Sequence, residues 1–465
     1  MRVSHFLTFL LLAAASAAST AEQIEPAFRS TSNGLVSFTA IARLPQPNGN
    51  MVLVHAWPTQ SGVCGDPVCI GIDRWNANFT AIGSRIKAAA LQSVKAATVD
   101  SRGRIIVVGN YQGAGADGID FGIVRFNADG SDDTSFAGDG GTIVNFGLGQ
   151  GNNDYPLAVT VDRDDNIIVV GSAQRASVAD SDFAIARLRA IDGSLDTTFS
   201  GDGKTTVFFD LGPNTRVDQA NAVAVRNDGK IVLGGIALDS AISRTRPVLA
   251  QLNQDGSLDT AFCNTSCTLN AGYAGINNGK RVYYFGTLSA HSDEILGIDV
   301  ASNNDIAVAG TTYSDDGSAR RAAVARFSGA GGQLNERLED GISGNARFTD
   351  VRFSDGLGTR VIATGDSGPG PNLFIAQGFS ATLTPIAGYG DCLTSNSGLC
   401  FIGGSGLADP GPNAAGQLHL DARGRPLFAG TFFVSDDPDR GHNLSLRITN
   451  NTGPLPDRIF RNGLQ

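Results

Sequence analysis

The sequence predicts an all-β protein, a seven-bladed β-propeller of four-stranded antiparallel blades. A short apolar strand that ends in Gly or Ala recurs along the chain, at a mean spacing of about 62 residues that is typical of repeat architectures. The composition agrees, because 59 Gly and only 2 Met suit a turn-rich β chain and disfavour a helical bundle. The seven copies end at Ala56, Gly109, Gly171, Gly234, Gly310, Gly365 and Gly430.

The third unit displays the strand pattern most clearly. Residues 157–161 alternate towards an Asp-rich turn, and a continuous apolar strand follows at 167–170. Residues 183–188 alternate again before a turn segment at 192–199, and 205–209 complete the unit as a fourth strand. One such sheet cannot bury both of its faces, so neighbouring units are expected to stack radially in a ring that protects most strand edges.

The domain organisation follows from this repeat. Residues 1–21 are predicted to be a signal peptide, and 22–465 a single propeller domain. Residues 25–28 (EPAF) resemble the unit-ending residues 133–136 (DTSF), so 22–34 are expected to close the ring against the last blade. The predicted units are approximately 35–87, 88–155, 156–219, 220–294, 295–346, 347–414 and 415–465.

Two recurrent motifs carry a family resemblance. Residues 227–235 (NDGKIVLGG) form a strand motif, and 186–199 (ARLRAIDGSLDTTF) a later turn motif that returns at 124–136 and 250–262. In these motifs the chain resembles the delta-60 repeat family of bacterial exported proteins, specifically over 96–262 and weakly beyond. The resemblance implies a propeller-like exported repeat. It supplies no catalytic residues.

The N-terminus has the layout of a secretory signal peptide. Arg2 precedes an apolar run at 6–15, and small residues offer cleavage sites at 15–17 or 19–21. The run is too short to span a bilayer, which takes about 20 apolar residues, and no later stretch reaches that length. The protein is therefore expected to be secreted, extracellular or periplasmic, without membrane insertion.

Six cysteines form three close pairs. An even number of locally paired cysteines on an exported chain predicts three short-loop disulfides, each contributing only about 2 kcal/mol because small loops have little entropy to lose. Metal binding by these cysteines is the disfavoured alternative, because no C-x-x-C pair is present and the pairs lie far apart. The expected pairs are Cys64 with Cys69, Cys263 with Cys267, and Cys392 with Cys400.

The chain is acidic, with 35 Lys and Arg against 45 Asp and Glu and a formal charge of −10. No nucleic-acid partner is predicted, because phosphate binding needs a concentrated basic patch. Neither a phosphate-binding loop nor a dinucleotide fingerprint occurs, so no cofactor is predicted. The expected partner is an unidentified protein or glycan ligand, and the protein is expected to be a monomer.

Two motifs resemble known sites without meeting their requirements. Asp162, Asp164 and Asn166 have the spacing that opens a calcium loop, but Ile167 stands where the loop needs Gly. Turn formation is the favoured interpretation, with calcium binding as the alternative. Residues 365–368 (GDSG) resemble the nucleophile loop of trypsin-like serine proteases, yet no His precedes them in a matching context. No catalytic or metal site is predicted.

Four histidines belong to the predicted mature chain. His55 and His419 fall on predicted strands, where packing is the default role. His291 and His442 fall in predicted loops among carboxylates and are candidates for a polar site, although solvated loop residues are the favoured interpretation. The neighbouring carboxylates are Asp293 and Glu294 for His291, and Asp437 and Asp439 for His442.

Long, irregular loops indicate where a function would lie. The main hypothesis is an exported, non-catalytic propeller that binds a ligand or another protein through loops on one face. Two alternatives stay open, namely a secreted enzyme acting on polysaccharide or peptide at the channel mouth, and a structural envelope component. The loops predicted to share this face are 110–118, 148–155, 172–182, 211–219, 237–246, 311–320, 403–415 and 435–442.

Overall fold

The computed structural model describes the chain between residues 23 and 449, with gaps. Side chains are described within the range 41–385, and later strands are described by their backbone. The described residues are 23–24, 28–30, 39–58, 68–76, 80–89, 91–113, 118–149, 153–175, 180–212, 216–264, 267, 278–286, 291–313, 319–339, 345–354, 357–368, 373–385, 399–402, 414–420, 426–434 and 437–449.

Every regular element in these ranges is a β-strand, and most strands form antiparallel quartets in which each strand pairs with the next one along the chain. Six quartets are present, with these bounds: β3 (Thr39–Pro45), β4 (Met51–Pro58), β5 (Val68–Trp75), β6 (Ala81–Ala89); β7 (Leu91–Val99), β8 (Ile105–Gln112), β9 (Ile119–Phe126), β10 (Gly141–Val144); β11 (Asp154–Val161), β12 (Ile167–Gln174), β13 (Asp180–Leu188), β14 (Lys204–Val207); β15 (Arg216–Val225), β16 (Ile231–Asp239), β17 (Arg244–Leu252), β18 (Lys280–Val282); β19 (Glu294–Val300), β20 (Ile306–Tyr313), β21 (Arg320–Phe327), β22 (Gln333–Glu339); β23 (Asn345–Phe353), β24 (Arg360–Gly368), β25 (Leu373–Ser380), β26 (Leu399–Ile402).

The two ends of the chain meet in one sheet. Strands β1 and β2, near the N-terminus, both pair antiparallel with β29, near the C-terminus. Strand β27 pairs with β28 and also makes one parallel contact with β3 of the first quartet. These strands are β1 (Gln23–Ile24), β2 (Phe28–Ser30), β27 (Ala414–Leu420), β28 (Pro426–Val434) and β29 (Asp437–Thr449).

The hydrophobic core lies between neighbouring quartets. One buried cluster joins Val54 of the first quartet to Val107 of the second, and another joins Phe183 of the third to Leu233 of the fourth. Successive residues of β8 pack in different clusters, Val107 with the first quartet and Val108 with the third, so both faces of the second quartet are covered by its neighbours. The described chain is thus all-β and propeller-like, with antiparallel four-stranded sheets lying side by side, as the sequence predicts.

A β-bulge in the first strand of a quartet explains the recurrent glycine. In the third quartet the bulge lies between Pro156 and Ala158, opposite Gly171. It brings the Tyr155 carbonyl so close that a Cβ added at Gly171 would lie 1.8 Å from the oxygen, and only a residue without a side chain fits there. The same approach, at 1.8–1.9 Å, occurs at Gly109, Gly235, Gly310 and Gly365.

Two strand ends in the predicted alignment are wrong by one residue. Gly235, and not Gly234, lies opposite the bulge of the fourth quartet. In the first quartet His55, and not Ala56, has this place. Its imidazole fits because Gly71 leaves the space open, and a Cβ at Gly71 would lie 1.9 Å from the ring. A run of apolar residues does not fix its own register, since register depends on the partner strand.

A repeated contact, which we call the seam latch, fastens neighbouring quartets. Arg125 donates from Nε to Asp133 at 2.7 Å and from Nη1 to the Ala190 carbonyl of the next quartet at 2.6 Å. Its guanidinium lies 4.4 Å from the centroid of the Phe136 ring. Gly193 of the next quartet packs on the same ring, where a Cβ would lie 2.4 Å from it. The third quartet repeats the latch with Arg187, Asp196 and Phe199.

One predicted disulfide is observed in full. Cys263 and Cys267 are joined, with their Cα atoms 5.1 Å apart. Cys69 is also disulfide-bonded, while Cys64 and Cys392 lie outside the described residues and the side chain of Cys400 is not described. Within the described ranges, no helix has the length and apolar character needed to cross a bilayer.

Candidate functional site

The candidate site lies where first and third strands begin and second strands end. We call this edge of the quartets the loop face, because the connections between second and third strands and between successive quartets both leave from it. On the fifth and sixth quartets it carries charged and phenolic side chains from five strands. This arginine–carboxylate cluster consists of Glu294, Tyr313, Arg320, Arg347 and Asp366.

Arg320 is the centre of the cluster. Its Nε donates to the Tyr313 hydroxyl at 3.1 Å. This hydrogen bond raises the pKa of Arg320 against the effect of burial, and the charges of Tyr313, Glu294 and Asp366 raise it further. The charges of two carboxylates from different quartets thus act on one guanidinium, which has further N–H donors to offer a bound molecule.

Arg347 orients the second carboxylate of the cluster. Its Nε lies 3.0 Å and 3.2 Å from the two oxygens of Asp366, which faces it across the β23–β24 pair. A fixed carboxylate and a second carboxylate near it are the groups that general acid–base cleavage of a glycosidic bond requires. Guanidinium groups beside them bind hydroxyl or anionic groups of a substrate.

The polar group predicted around His291 is divided by the fold. Glu294 belongs to the cluster, and the His291 ring borders it, with its centroid 6.3 Å from that of Tyr313. Asp293 is buried and accepts hydrogen bonds from Thr312 Oγ1 at 2.6 Å and from the Phe285 N–H, so it is not a member of the cluster. Glu294 is the first residue of strand β19, so the loop predicted to contain His291, Asp293 and Glu294 ends one residue earlier than expected, at Asp293.

The other candidate residues from the sequence, three histidines and the serine of the GDSG motif, are not members of the cluster. His55 is buried in β4 with Nε2 3.2 Å from Asp73 Oδ2, a packing position as expected for a strand. Ser367 is 5% exposed on β24 and follows the cluster carboxylate in sequence. His419 lies on β27 and His442 on β29, where a loop was predicted for His442; their side chains are not described.

The Asp-rich turn of the third quartet uses its side chains to hold the backbone. Asp162 Oδ1 accepts hydrogen bonds from the N–H groups of Asp164 and Asn166, both at 2.9 Å. The side chain of Asn166 donates to Asp162 Oδ2 at 3.1 Å. This is the turn chemistry that the sequence favours. Among the described residues, no group of three or more His, Cys, Asp or Glu side chains is placed to hold a metal ion.

A set of buried aspartates on the loop face was missed in the sequence. Asp154 and Asp218 stand two residues before the bulge of their quartets and accept the N–H groups of Phe146 and Phe209 at 2.7 and 2.5 Å. Asp293 has the same place in the fifth quartet. Each of these aspartates lies two residues before its bulge. An alignment of the repeat units on the bulge, instead of on the glycine alone, identifies them.

The free energy of unfolding is expected to fall between about pH 4 and about pH 7. Burial raises the pKa of Asp154 and Asp293 to about 6 and that of Asp218 to about 7, the last helped by the charge of Asp182. A carboxyl group whose pKa is higher in the folded than in the unfolded state stabilises the fold while it is protonated. This contribution is complete below the unfolded-state pKa, near 4, and is lost as the pH rises through 6 to 7. The loss is on the order of 3 kcal/mol for each group, at about 1.4 kcal/mol per pKa unit. Urea unfolding at several pH values measures it.

The control for this pH dependence is an exposed turn carboxylate. Asp218→Asn is expected to flatten the slope, since the amide does not ionise. Asp255→Asn should leave the slope unchanged, because a hydrogen bond from Ser257 lowers the pKa of Asp255, so that it titrates below this window. Stability that is constant from pH 4 to 7 would contradict the prediction.

Solved structures similar to the chain are propellers of low sequence identity. A fungal alcohol oxidase in complex with copper matches 94% of this chain and 79% of its own at 11% identity, with a TM-score of 0.47. The β-propeller domain of a trilobed protease from Pyrococcus furiosus matches 91% and 98% at 8% identity, with a TM-score of 0.44. A xyloglucanase from Xanthomonas campestris matches 87% of this chain but 52% of its own, at 12% identity and a TM-score of 0.40. At such identities the likeness concerns the fold.

The main functional hypothesis from the sequence, an exported non-catalytic propeller, needs correction. The prediction of a non-catalytic propeller that binds through its loops is contradicted, since the structures of similar fold include an alcohol oxidase and a xyloglucanase; these likenesses concern the fold and assign no activity to this chain. The absence of a familiar catalytic motif is therefore no ground for excluding catalysis.

Family models match the repeat itself. No curated protein matches the chain. The model of a β-propeller domain family of unknown function, DUF5122, matches residues 103–136, 163–199 and 226–262. Each match runs from the turn between first and second strands to the Phe of the latch motif, at Phe136, Phe199 and Phe262. Three of the repeat units are thus β-propeller repeats.

Proposed function

We propose that the protein is an exported propeller enzyme that cleaves glycosidic bonds of a polysaccharide at the arginine–carboxylate cluster. The observation that carries the proposal is that the charges of Glu294 and Asp366, from two quartets, both act on Arg320, which is hydrogen-bonded to Tyr313. Asp366, oriented by Arg347, is assigned the role of base or nucleophile, and Glu294 that of proton donor. Arg320 and Tyr313 are assigned to substrate hydroxyl or anionic groups.

The location of the cluster supports this assignment. The loop face carries the long connections, and loops on a rigid scaffold commonly form substrate clefts. Side chains that begin or end strands are held by the sheet on one side and reach the loops on the other, which gives the fixed geometry that acid–base catalysis needs.

The test is to incubate the purified mature protein with a panel of polysaccharides and to measure the reducing ends that hydrolysis releases. Glu294→Gln and Asp366→Asn are each expected to lower the rate by about 100-fold or more, the usual contribution of a general acid or base. Asp164→Asn, in a turn on the opposite edge of the quartets, should keep full activity. Cleavage of peptides alone, or full activity of both cluster variants, would refute the proposal.

A closed ring of seven blades is part of the same proposal. Six quartets and the sheet of β27–β29 would make seven blades, and the pairing of β1 and β2 with β29 favours closure by the N-terminal residues. Residues 22–34 would then join the first and last parts of the chain, as the unit-ending motif at 25–28 suggests. A ring tied in this way has few free strand edges, which favours a monomer.

Export and repeat type complete the proposal. The apolar N-terminal run, the disulfide at Cys263 and Cys267 and the acidic charge favour a secreted protein without nucleic-acid partners. The strand motif at 227–235 favours the delta-60 type of repeat. Cell fractionation and N-terminal sequencing of the mature protein test export and the cleavage site near residue 21.

A further inference from the structure

The Cys263–Cys267 disulfide lies on the seam between the fourth and fifth quartets. Cys263 directly follows the motif phenylalanine, as Ala137 and Ser200 do on the two preceding seams. Its N–H donates to the Ala330 carbonyl of the next quartet at 2.9 Å, and the two equivalent residues donate across their seams in the same way. The repeat thus closes its seams without a disulfide, and a loop this short adds little entropy-based stability.

The Arg281 guanidinium lies beside this disulfide, and the two preceding seams have no arginine at the equivalent position. Arg281 Nη1 is 3.1 Å from Cys267 Sγ and also donates to the Gly331 carbonyl. The latch residues Arg125 and Arg187 each lie 2.7 Å from a carboxylate. Burial alone lowers the pKa of Arg281, to about 10. A thiolate at Cys267 would give this buried cation an anion at hydrogen-bond distance.

We propose that Cys263 and Cys267 form a thiol–disulfide exchange site, with Arg281 holding Cys267 as a thiolate when the pair is reduced. A neighbouring guanidinium favours the thiolate, which is the reactive form of cysteine. Cys267 is half-buried and reachable, while Cys263 is 1% exposed. Cys267 is therefore the residue that attacks a partner, and Cys263 the one that resolves the intermediate.

The exchange consists of two displacements on a partner disulfide. The Cys267 thiolate attacks one partner sulfur, the partner S–S bond breaks, and the second partner sulfur leaves as a thiolate. Cys263 passes its thiol proton to the partner thiolate released first and attacks Cys267 Sγ, which re-forms the internal disulfide and releases the first partner sulfur as a thiolate. The dithiol loses two electrons and the partner disulfide gains them. The site is independent of the arginine–carboxylate cluster, so either proposal stands without the other.

The test is the pH dependence of alkylation of the reduced mature protein by iodoacetamide, read at Cys267 by peptide mass spectrometry. We expect a Cys267 thiol pKa below the ordinary value of about 8.5. Arg281→Gln should raise it and slow alkylation near pH 7 by about 10-fold, whereas Arg281→Lys should keep it low. Arg187→Gln, which removes a latch guanidinium from a seam without cysteines, should leave the Cys267 thiol unchanged.

A second arm follows the intermediate itself. Cys263→Ser, incubated with oxidised glutathione, is expected to accumulate a mixed disulfide at Cys267, because the resolving thiol is absent. A wild-type Cys267 thiol pKa at or above about 8.5 would overturn the proposal, even if Arg281→Gln failed to fold. An unchanged pKa in a folded Arg281→Gln protein, or no glutathione adduct in Cys263→Ser, would overturn it as well.

Discussion

Gly171→Ala is expected to lower the free energy of unfolding by about 3 kcal/mol, the upper range for overpacking a buried site. The added Cβ would lie 1.8 Å from the Tyr155 carbonyl oxygen. That oxygen belongs to the backbone next to the bulge at Pro156, so relief requires the first strand to shift against the second. Urea unfolding of the purified protein, followed by tryptophan fluorescence or circular dichroism, gives the loss.

The matched control is a strand glycine with room around it. Gly141, on β10, has its nearest neighbouring atom 3.7 Å from an added Cβ, which is ordinary contact distance. Gly141→Ala is therefore expected to change stability by less than about 1 kcal/mol, because the added methyl group has room and alanine lowers the entropy of the unfolded chain. Equal effects of the two substitutions would show that the carbonyl approach is not what keeps Gly171 in place.

The fold could be predicted because its determinants are local and repeated. The turn at Asp162, the apolar strand that ends at Gly171 and the alternating third strand each recur along the chain, so weak signals add up over the units. The register was harder to predict. His55 has the place of the glycine in the first quartet, and its ring packs on the neighbouring Gly71, which lies on another strand.

The candidate site could be predicted only in part, because its residues do not repeat. Glu294 was noticed beside His291, but nothing in the sequence joins it to Arg320 or to Asp366, which lies in a different quartet. The fifth and sixth units depart most from the repeat, and the cluster lies between them. Contacts between quartets depend on how sheets stack, and a single sequence carries no direct signal for that.

The seam latch illustrates the same limit from the structural side. The Arg, Asp and Phe of the motif are visible in the sequence, as Arg125, Asp133 and Phe136 show. The carbonyl of Ala190, which Arg125 also binds, belongs to the next unit. The motif therefore reads as a turn signal in the sequence, whereas in the fold it joins one quartet to the next.

Arg125→Met is expected to cost about 3 kcal/mol of unfolding free energy, because it removes the cation 2.7 Å from the buried carboxylate of Asp133 and leaves only Arg104 Nη1, 3.9 Å away. Arg125 is fully buried and Asp133 is 4% exposed, so solvent cannot replace the lost partner. The double variant Arg125→Met with Asp133→Asn should recover part of this loss, since the uncompensated charge is removed. A double-mutant cycle by urea unfolding isolates the coupling between the two side chains.

An exposed arginine provides the comparison that makes this result specific to the seam latch. Arg163 also reaches across a seam, donating from Nη2 to Asn227 at 3.0 Å, but it does so at the surface. Arg163→Met is expected to change stability by less than about 1 kcal/mol, because water takes the place of the lost contact. If Arg125→Met cost no more than Arg163→Met, stacking of the apolar faces alone would hold the quartets together. The conserved spacing of the motif within this chain would then reflect its turn, and not a fastening between neighbouring sheets.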